Sequence, residues 1–244
     1  MEEPRKTIRG LSLFLLGMGA LFAILLTIFG LWPDLEASLF DTNNSSGEQL
    51  RALRCPVLIT PADEAMIRLK LTNPLDQPIN FLARANISQG LVTFMRQENR
   101  RASVEPGESV EFTWSVQPED AVYGRMVLAR VRVLRTNVLP ARQKACGIMI
   151  LDVPFLRGNQ IIGGLLAATL FYLVVGGGLW LRSERPLTER KREQAQFAAG
   201  LILMLLLTMT FSLIGWWGSG AVIILITFLI LIAYFDRFNV QRRV

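Results

Sequence analysis

The 244-residue sequence contains no histidine. This removes the commonest general base, the commonest metal ligand and the usual haem ligand. A Ser or Cys nucleophile would have no imidazole to activate it. Lysine is confined to Lys6, Lys70, Lys144 and Lys191, a scarcity read as codon or habitat bias. A Ser–Lys pair in the central segment would have to use Lys70 or Lys144, and neither sits in a catalytic motif. There is no glycine-rich phosphate loop, since Gly176-Gly177-Gly178 lies inside an apolar run. Asp, Glu, Lys and Arg are missing altogether from four long apolar runs. A pump or ion pathway needs polar groups or broken helices in the membrane, and these runs offer only hydroxyls such as Thr27, Thr169, Thr208, Thr210, Ser212 and Thr227.

Half of the residues are hydrophobic (51 %), and they are unevenly spread. A hydrocarbon core about 30 Å thick needs roughly 20 apolar helical residues. Residues 11–32, 160–181 and 197–217 meet this length, and 218–235 does so with its leading glycines. The net charge is +6, yet residues 33–158 carry 15 basic and 14 acidic side chains. The surplus falls in three short pieces around Arg5–Arg9, Arg182–Arg192 and Arg237–Arg243, each flanking an apolar run. Such pieces stay on the cytoplasmic side. The pattern therefore predicts four transmembrane helices with residues 1–10, 182–196 and 236–244 inside, and residues 33–158 outside. Nucleic-acid binding is a poor account of this basicity, and anionic lipid is the expected neighbour of Arg182–Arg192. The first run is read as a retained span, because Ala37, with Leu35 two residues before it, makes a poor cleavage site.

Residues 33–50 read as a linker, with Asn43, Asn44, Ser45, Ser46 and Gly47 unable to pack a core. Residues 51–156 then alternate in the manner of strands. Ile67, Leu69 and Leu71 alternate with Arg68 and Lys70. The same holds for Phe81–Ile87, Val110–Val116 and Val127–Val133, with a last run at Gly147–Val153. Leu91–Met95 is either another strand or an exposed contact loop. Glu105-Pro106-Gly107-Glu108 suits a type II turn. About seven short strands, each with one buried face, predict an all-β immunoglobulin-type sandwich. Thr72-Asn73-Pro74, Gln77-Pro78-Ile79 and Val104–Ser109 leading to Phe112 and Trp114 resemble bacterial extracytoplasmic immunoglobulin-like modules of the CARDB and PapD types. The resemblance covers residues 55–153 and implies a module that binds proteins or glycans, or acts as a spacer.

Cys55 opens the first strand and Cys146 the last. An oxidising outer compartment permits a bridge between them, the alternative being two buried thiols. The neighbouring carboxylates Asp63-Glu64 and Glu119-Asp120 point apart on extended chain and read as solvated loop charge. No metal site is expected from them. Arg130 and Arg132 lie off the core face of one strand and Arg84 off that of another, so pairing would make a basic patch facing solvent, an acidic partner or lipid headgroups. Gly163, Gly164, Ala167 and Ala168 form a small-residue seam that would pack within the chain or against a partner helix. Asn43, Asn44 and Asn86 head Asn-x-Ser sequons, although the domain style and short loops favour a bacterial plasma membrane.

The expectation is a non-catalytic accessory or scaffold subunit without cofactor, whose external domain binds a partner and whose spans pack with other membrane subunits. A free-standing envelope receptor or adhesion module comes second, and a membrane enzyme or transporter third.

Overall fold

The computed structural model describes residues 3–41, 48–134, 139–184 and 189–243. Two compact units emerge, one of Met1–Leu31 with Ile162–Val244 and the other of Trp32–Ile161.

The first unit is helical. Its elements are α1 (Glu3–Leu39) as far as Leu31, α2 (Gly158–Ser183) from Ile162, α3 (Glu189–Leu213) and α4 (Trp217–Arg243), the last turns of α1 and the first of α2 belonging to the second unit. Three stretches, Thr7–Leu39, Gly158–Ser183 and Ala195–Leu213, are long and apolar enough to cross a membrane, and Trp217–Ile232 is a shorter apolar helix. Ala23, Leu26 and Met209 form a buried cluster. Close approach is made at Gly19 against Leu173 and at Gly176 against Leu16, so α1 and α2 touch through small residues, which let helix backbones come near one another. The Ser212 hydroxyl donates to the Thr27 carbonyl across α1 and α3 at 2.8 Å. Thr27, Thr169, Thr208, Thr210 and Thr227 each donate to the carbonyl one turn back. Arg9 pairs with the buried Glu184 at 3.2 Å. The chain turns between α3 and α4 at Gly215, where φ is +77°, so Trp216 sits in the turn and Trp217 opens α4 rather than closing the third span.

Among its described residues the second unit carries nine strands: β1 (Glu48–Gln49), β2 (Leu53–Arg54), β3 (Leu58–Ile59), β4 (Ala65–Thr72), β5 (Ile79–Gln89), β6 (Leu91–Val104), β7 (Ser109–Val116), β8 (Met126–Val133) and β9 (Arg142–Ile150). They form a mixed six-stranded sheet, β1-β9-β8-β5-β6 with β3 also on β9, and a three-stranded sheet, β2-β4-β7. The six-stranded sheet is mixed because β1 and β3 both run parallel to β9. One core is shared by both sheets, with Ile67, Leu69, Phe112 and Trp114 from the smaller and Phe81, Ala83, Ile87, Val127 and Val131 from the larger. These are the apolar positions of the alternating runs. Leu91–Met95 proves to be the start of β6, a fourteen-residue strand. The Glu108 N–H donates to the Glu105 carbonyl, with Gly107 at φ +75°, as the turn reading requires.

The other face of the larger sheet is also covered. β8 is buried along its whole length, because the last turns of α1 lie over it. Ala37 and Phe40 pack with Val122, Met126 and Leu128 in a second apolar cluster. Residues 33–41 are therefore helix and packed turn instead of linker, while 42–47, with the Asn43 and Asn44 sequons, lie outside the described residues.

Candidate functional site

The strongest constellation in the β unit is the pair of places where helix meets sheet. At the first, the end of α1 crosses β9. The Gly147 N–H donates to Asp34 Oδ1 at 2.9 Å, and a Cβ on Gly147 would overlap the Pro33 carbonyl. An isolated glycine in a strand commonly marks such a close backbone approach. Further along α1, the Arg130 guanidinium donates to the Ser38 carbonyl at 2.8 Å. Arg132 donates to the Asp41 carbonyl at 2.8 Å and pairs with its carboxylate at 2.9 Å. Asn86 Nδ2 also donates to that carboxylate, at 2.6 Å. The last carbonyls of a helix lack intrahelical donors and sit at its negative end, so two guanidiniums there satisfy both hydrogen bonding and charge. Burial, reinforced by Arg132 and opposed by Asp41, lowers the Arg130 pKa from its ordinary value.

This changes the role of the basic patch. Arg84 and Arg132 are direct cross-strand partners, as are Asn86 and Arg130, so the pairing behind the patch is present. Yet Arg130 and Arg132 are only 6 % and 9 % exposed. Their acidic partner is Asp41 of the same chain, because helix α1 covers the face that alternation left open. Arg84 bonds to Asn99 of β6.

The second junction joins α2 to the loop after β3. Asp63 Oδ2 accepts from the Thr60 N–H at 2.9 Å, the Thr60 hydroxyl at 3.1 Å and the Gly158 N–H at 2.8 Å. The single proton of the Thr60 hydroxyl is shared between this carboxylate and the Leu156 carbonyl, which is closer at 2.7 Å. A carboxylate on the first N–H of a helix satisfies an orphan donor and favours the helix dipole. A Cβ on Gly158 would overlap the Leu58 carbonyl. Asp63 is thus a structural anchor and not a solvated loop charge.

Asp120 departs from that expectation too. It is buried, accepts the Gln117 N–H at 3.0 Å and pairs with Arg96 of β6 at 2.8 Å. The hydrogen bond to Asp120 raises the Arg96 pKa from its ordinary value, against the opposing effect of burial. Beside it, the buried Ser88 hydroxyl donates to the Asp120 carbonyl and accepts the Leu128 N–H. The sequon at Asn86 therefore has both its Asn and its Ser buried in the fold.

Cys55 and Cys146 form a disulfide across a sequence separation of 91, with Cα atoms 6.5 Å apart. Gly163 and Gly164 have nothing within 4 Å, and Ala167 is exposed, so this part of the seam is not used within the chain. Among the described residues no group of three His, Cys, Asp or Glu side chains converges in a way that could hold a metal. A cleft of about 660 Å³ opens in the β unit, lined by Glu48, Arg51, Lys70, Phe81, Leu139 and Arg142 among others.

The sequence pointed to Asp63 and the arginines but missed Asp34, Asp41 and Gly147. A glycine inside the otherwise apolar Cys146–Ile150 run was the available signal.

No family model and no curated protein matches this chain. Partial likeness is found to a Bacteroides uniformis β-glucuronidase, with TM-score 0.27 and 12 % identity over 38 % of this chain and 12 % of that one. A calcium-binding mutant of Bacteroides uniformis β-glucuronidase 2 gives TM-score 0.28 and 13 % identity over 43 % of this chain and 14 % of that one. The chain spans only about an eighth of the length of these enzymes. Likeness of this size carries no argument about fold or activity.

Proposed function

We propose that this chain is a non-catalytic accessory or scaffold subunit of a membrane protein complex, without a cofactor. Its helices anchor it in a bacterial plasma membrane with both termini cytoplasmic, and its β unit is an extracytoplasmic immunoglobulin-like sandwich that binds a partner protein. The division of strands supports the sandwich reading. In order, β2, β4 and β7 stand opposite β5, β8 and β9, as strands A, B and E stand opposite C, F and G in immunoglobulin domains. Departures are the buried Trp114 on β7 and a disulfide tying the first strands to the last, in place of the inter-sheet bridge of antibody domains.

The observation that carries the scaffold reading is the double junction. Where α1 arrives and where α2 departs, a carboxylate grips a glycine N–H against tightly packed backbone. Both junctions lie inside the β unit, so the helix ends entering and leaving it are built into the domain and not strung on loose tethers, which suits a scaffold better than a tethered catcher. The open face at Gly163, Gly164 and Ala167 is in keeping with partner helices. The test is native mass spectrometry on C-terminally tagged protein released from native membranes in mild detergent. A stoichiometric set of membrane subunits is the expected result, and a lone monomer or homo-oligomer would overturn the reading. The cleft, with Arg51, Lys70 and the Arg142–Glu48 ion pair around apolar Phe81 and Leu139, favours a receptor for an anionic ligand as the second reading.

A further inference from the structure

Several of the large apolar side chains exposed on the β unit gather at one end of it. Leu91, Phe94 and Met95 lie at the β5–β6 hairpin, Tyr123 in the turn before β8, and Phe155 and Leu156 in the loop after β9, with exposures from 40 % to 91 %. The pairings place these three segments together. Ser88 faces Met95, and its hydroxyl accepts the Leu128 N–H. Val122 bridges Met126, which pairs with Met149. The Ile150 N–H donates to the Arg125 carbonyl. Val92 packs against Val122, Met126 and Leu128 beneath the hairpin.

Two distances fix the chemistry this end meets. The end of α1 runs against the direction of β9, meeting Gly147 at Asp34 and Arg132, the partner of Gln143, at Asp41. From Gly147 to Ile150 the strand continues for three residues, roughly 10 Å, past Pro33 and away from the Asp41 end of the helix. On the other side, Phe155 precedes Gly158, the first residue of α2, by three residues, a reach of about 10 Å at most. Phe155 and Leu156 thus lie within three residues of the start of a helix long and apolar enough to cross a membrane, and the pairings above hold the β5–β6 hairpin and the Tyr123 turn at the same end of the β unit. Arg125 and Arg157 are exposed among them. Aromatic and aliphatic groups with interspersed arginines suit the headgroup boundary of a bilayer. Tyr123 also holds a positive φ of 56° beside Gly124 at 63°, a conformation that a bulky residue rarely adopts.

We propose that this end of the β unit, through Phe94, Tyr123, Phe155 and their neighbours, is inserted in the interfacial layer of the outer leaflet. It rests on the reading that α1 and α2 cross the membrane, and a label in α2 separates the two. Full-length protein, its native disulfide intact, would carry single nitroxide labels at Phe94→Cys, Tyr123→Cys and Phe155→Cys. Leu170→Cys in α2 and Glu105→Cys in the β6–β7 turn serve as references. Each variant is placed in nanodiscs of phosphatidylethanolamine and phosphatidylglycerol, and collision with oxygen is compared with collision with a water-soluble nickel chelate. At the three test positions oxygen is expected to exceed the chelate, as at Leu170 and opposite to Glu105. Chelate-dominated collision at all three, with Leu170 still lipid-exposed, overturns the proposal alone. Chelate-dominated collision at Leu170 overturns the membrane reading beneath it. Protection of the three labels from both quenchers also overturns the proposal and identifies the end as a protein contact.

Discussion

In the β unit, Gly147 and Gly158 stand where a carbonyl of another segment leaves no room for a Cβ, while Gly163 and Gly164, in the helical unit, meet nothing within 4 Å. In the helical unit, Gly19 and Gly176 meet leucine side chains and backbone nitrogens, while a Cβ on Gly30 would overlap the Ser212 hydroxyl and carbonyl. A side chain can change rotamer to relieve crowding, whereas a carbonyl fixed in a helix or sheet moves only with its element. The β unit is therefore locked at both junctions by a facing carbonyl, whereas the helical unit combines one such backbone approach, at Gly30, with leucine contacts at Gly19 and Gly176 that can adjust. Both junctions add a carboxylate on the glycine N–H, so steric fit and hydrogen bonding act at the same two points.

The largest effect on this comparison should come from the disulfide, which belongs wholly to the β unit. Replacing both cysteines (Cys55→Ala with Cys146→Ala) releases a loop spanning 91 residues and is expected to cost about 4–5 kcal/mol in the chain-entropy account. Thermal unfolding in detergent, followed with and without reductant, checks it. Unchanged stability would mean that the junctions alone hold the two ends of the domain together.

Next comes Gly147→Ala. Its Cβ cannot coexist with the Pro33 carbonyl, so α1 must lift from β9 and Asp34 lose its bond. Overpacking of this kind costs about 3 kcal/mol. The expected signature is loss of stability together with faster hydrogen exchange at Gly147 and the neighbouring β9 amides. Gly158→Ala should behave alike at the other junction, and a mild result at either one would break the parallel between them.

A smaller effect is expected for Asp63→Ala, which leaves the N–H groups of Thr60 and Gly158 without their acceptor. The expected cost is about 2 kcal/mol, read as faster exchange at the start of α2 with the sandwich core unchanged. Loss of protection throughout the β unit would show that this junction is part of the core's cooperative unit.

The alternation of Ile67, Leu69 and Leu71 and of Phe81–Ile87 made the core legible, because period two fixes which side chains share a face. It could not say whether the second face was wet. Arg130 and Arg132 were placed on the correct side, but the helix end covering them comes from residues more than ninety positions earlier. Residues 33–41 were hidden by the polar run that follows them. β6 was legible only as an open choice at its start, Leu91–Met95, because it is an edge strand, exposed along most of its length and carrying Arg96, Glu98, Arg100 and Arg101. Such charges protect an edge from unwanted pairing and erase the alternation by which a strand is recognised. Asp34 and Asp41 act through tertiary contacts 113 and 91 residues away, which no local pattern encodes.

The smallest effect on stability, and the sharpest test of the contrast, is Gly163→Ala. In an exposed helix position alanine is favoured over glycine by up to about 1 kcal/mol, and open space surrounds Gly163. The isolated chain should be unchanged or slightly stabilised in detergent. A bulkier change, Gly163→Leu, is equally free of clash within the chain. If partner helices use this face, the leucine variant should keep its thermal stability as an isolated chain yet lose co-purifying membrane subunits, because a small-residue interface has no space for it. If the face meets only lipid, both variants should retain every partner. The loss of partners without loss of fold would separate glycine that holds this chain together from glycine that holds it to another.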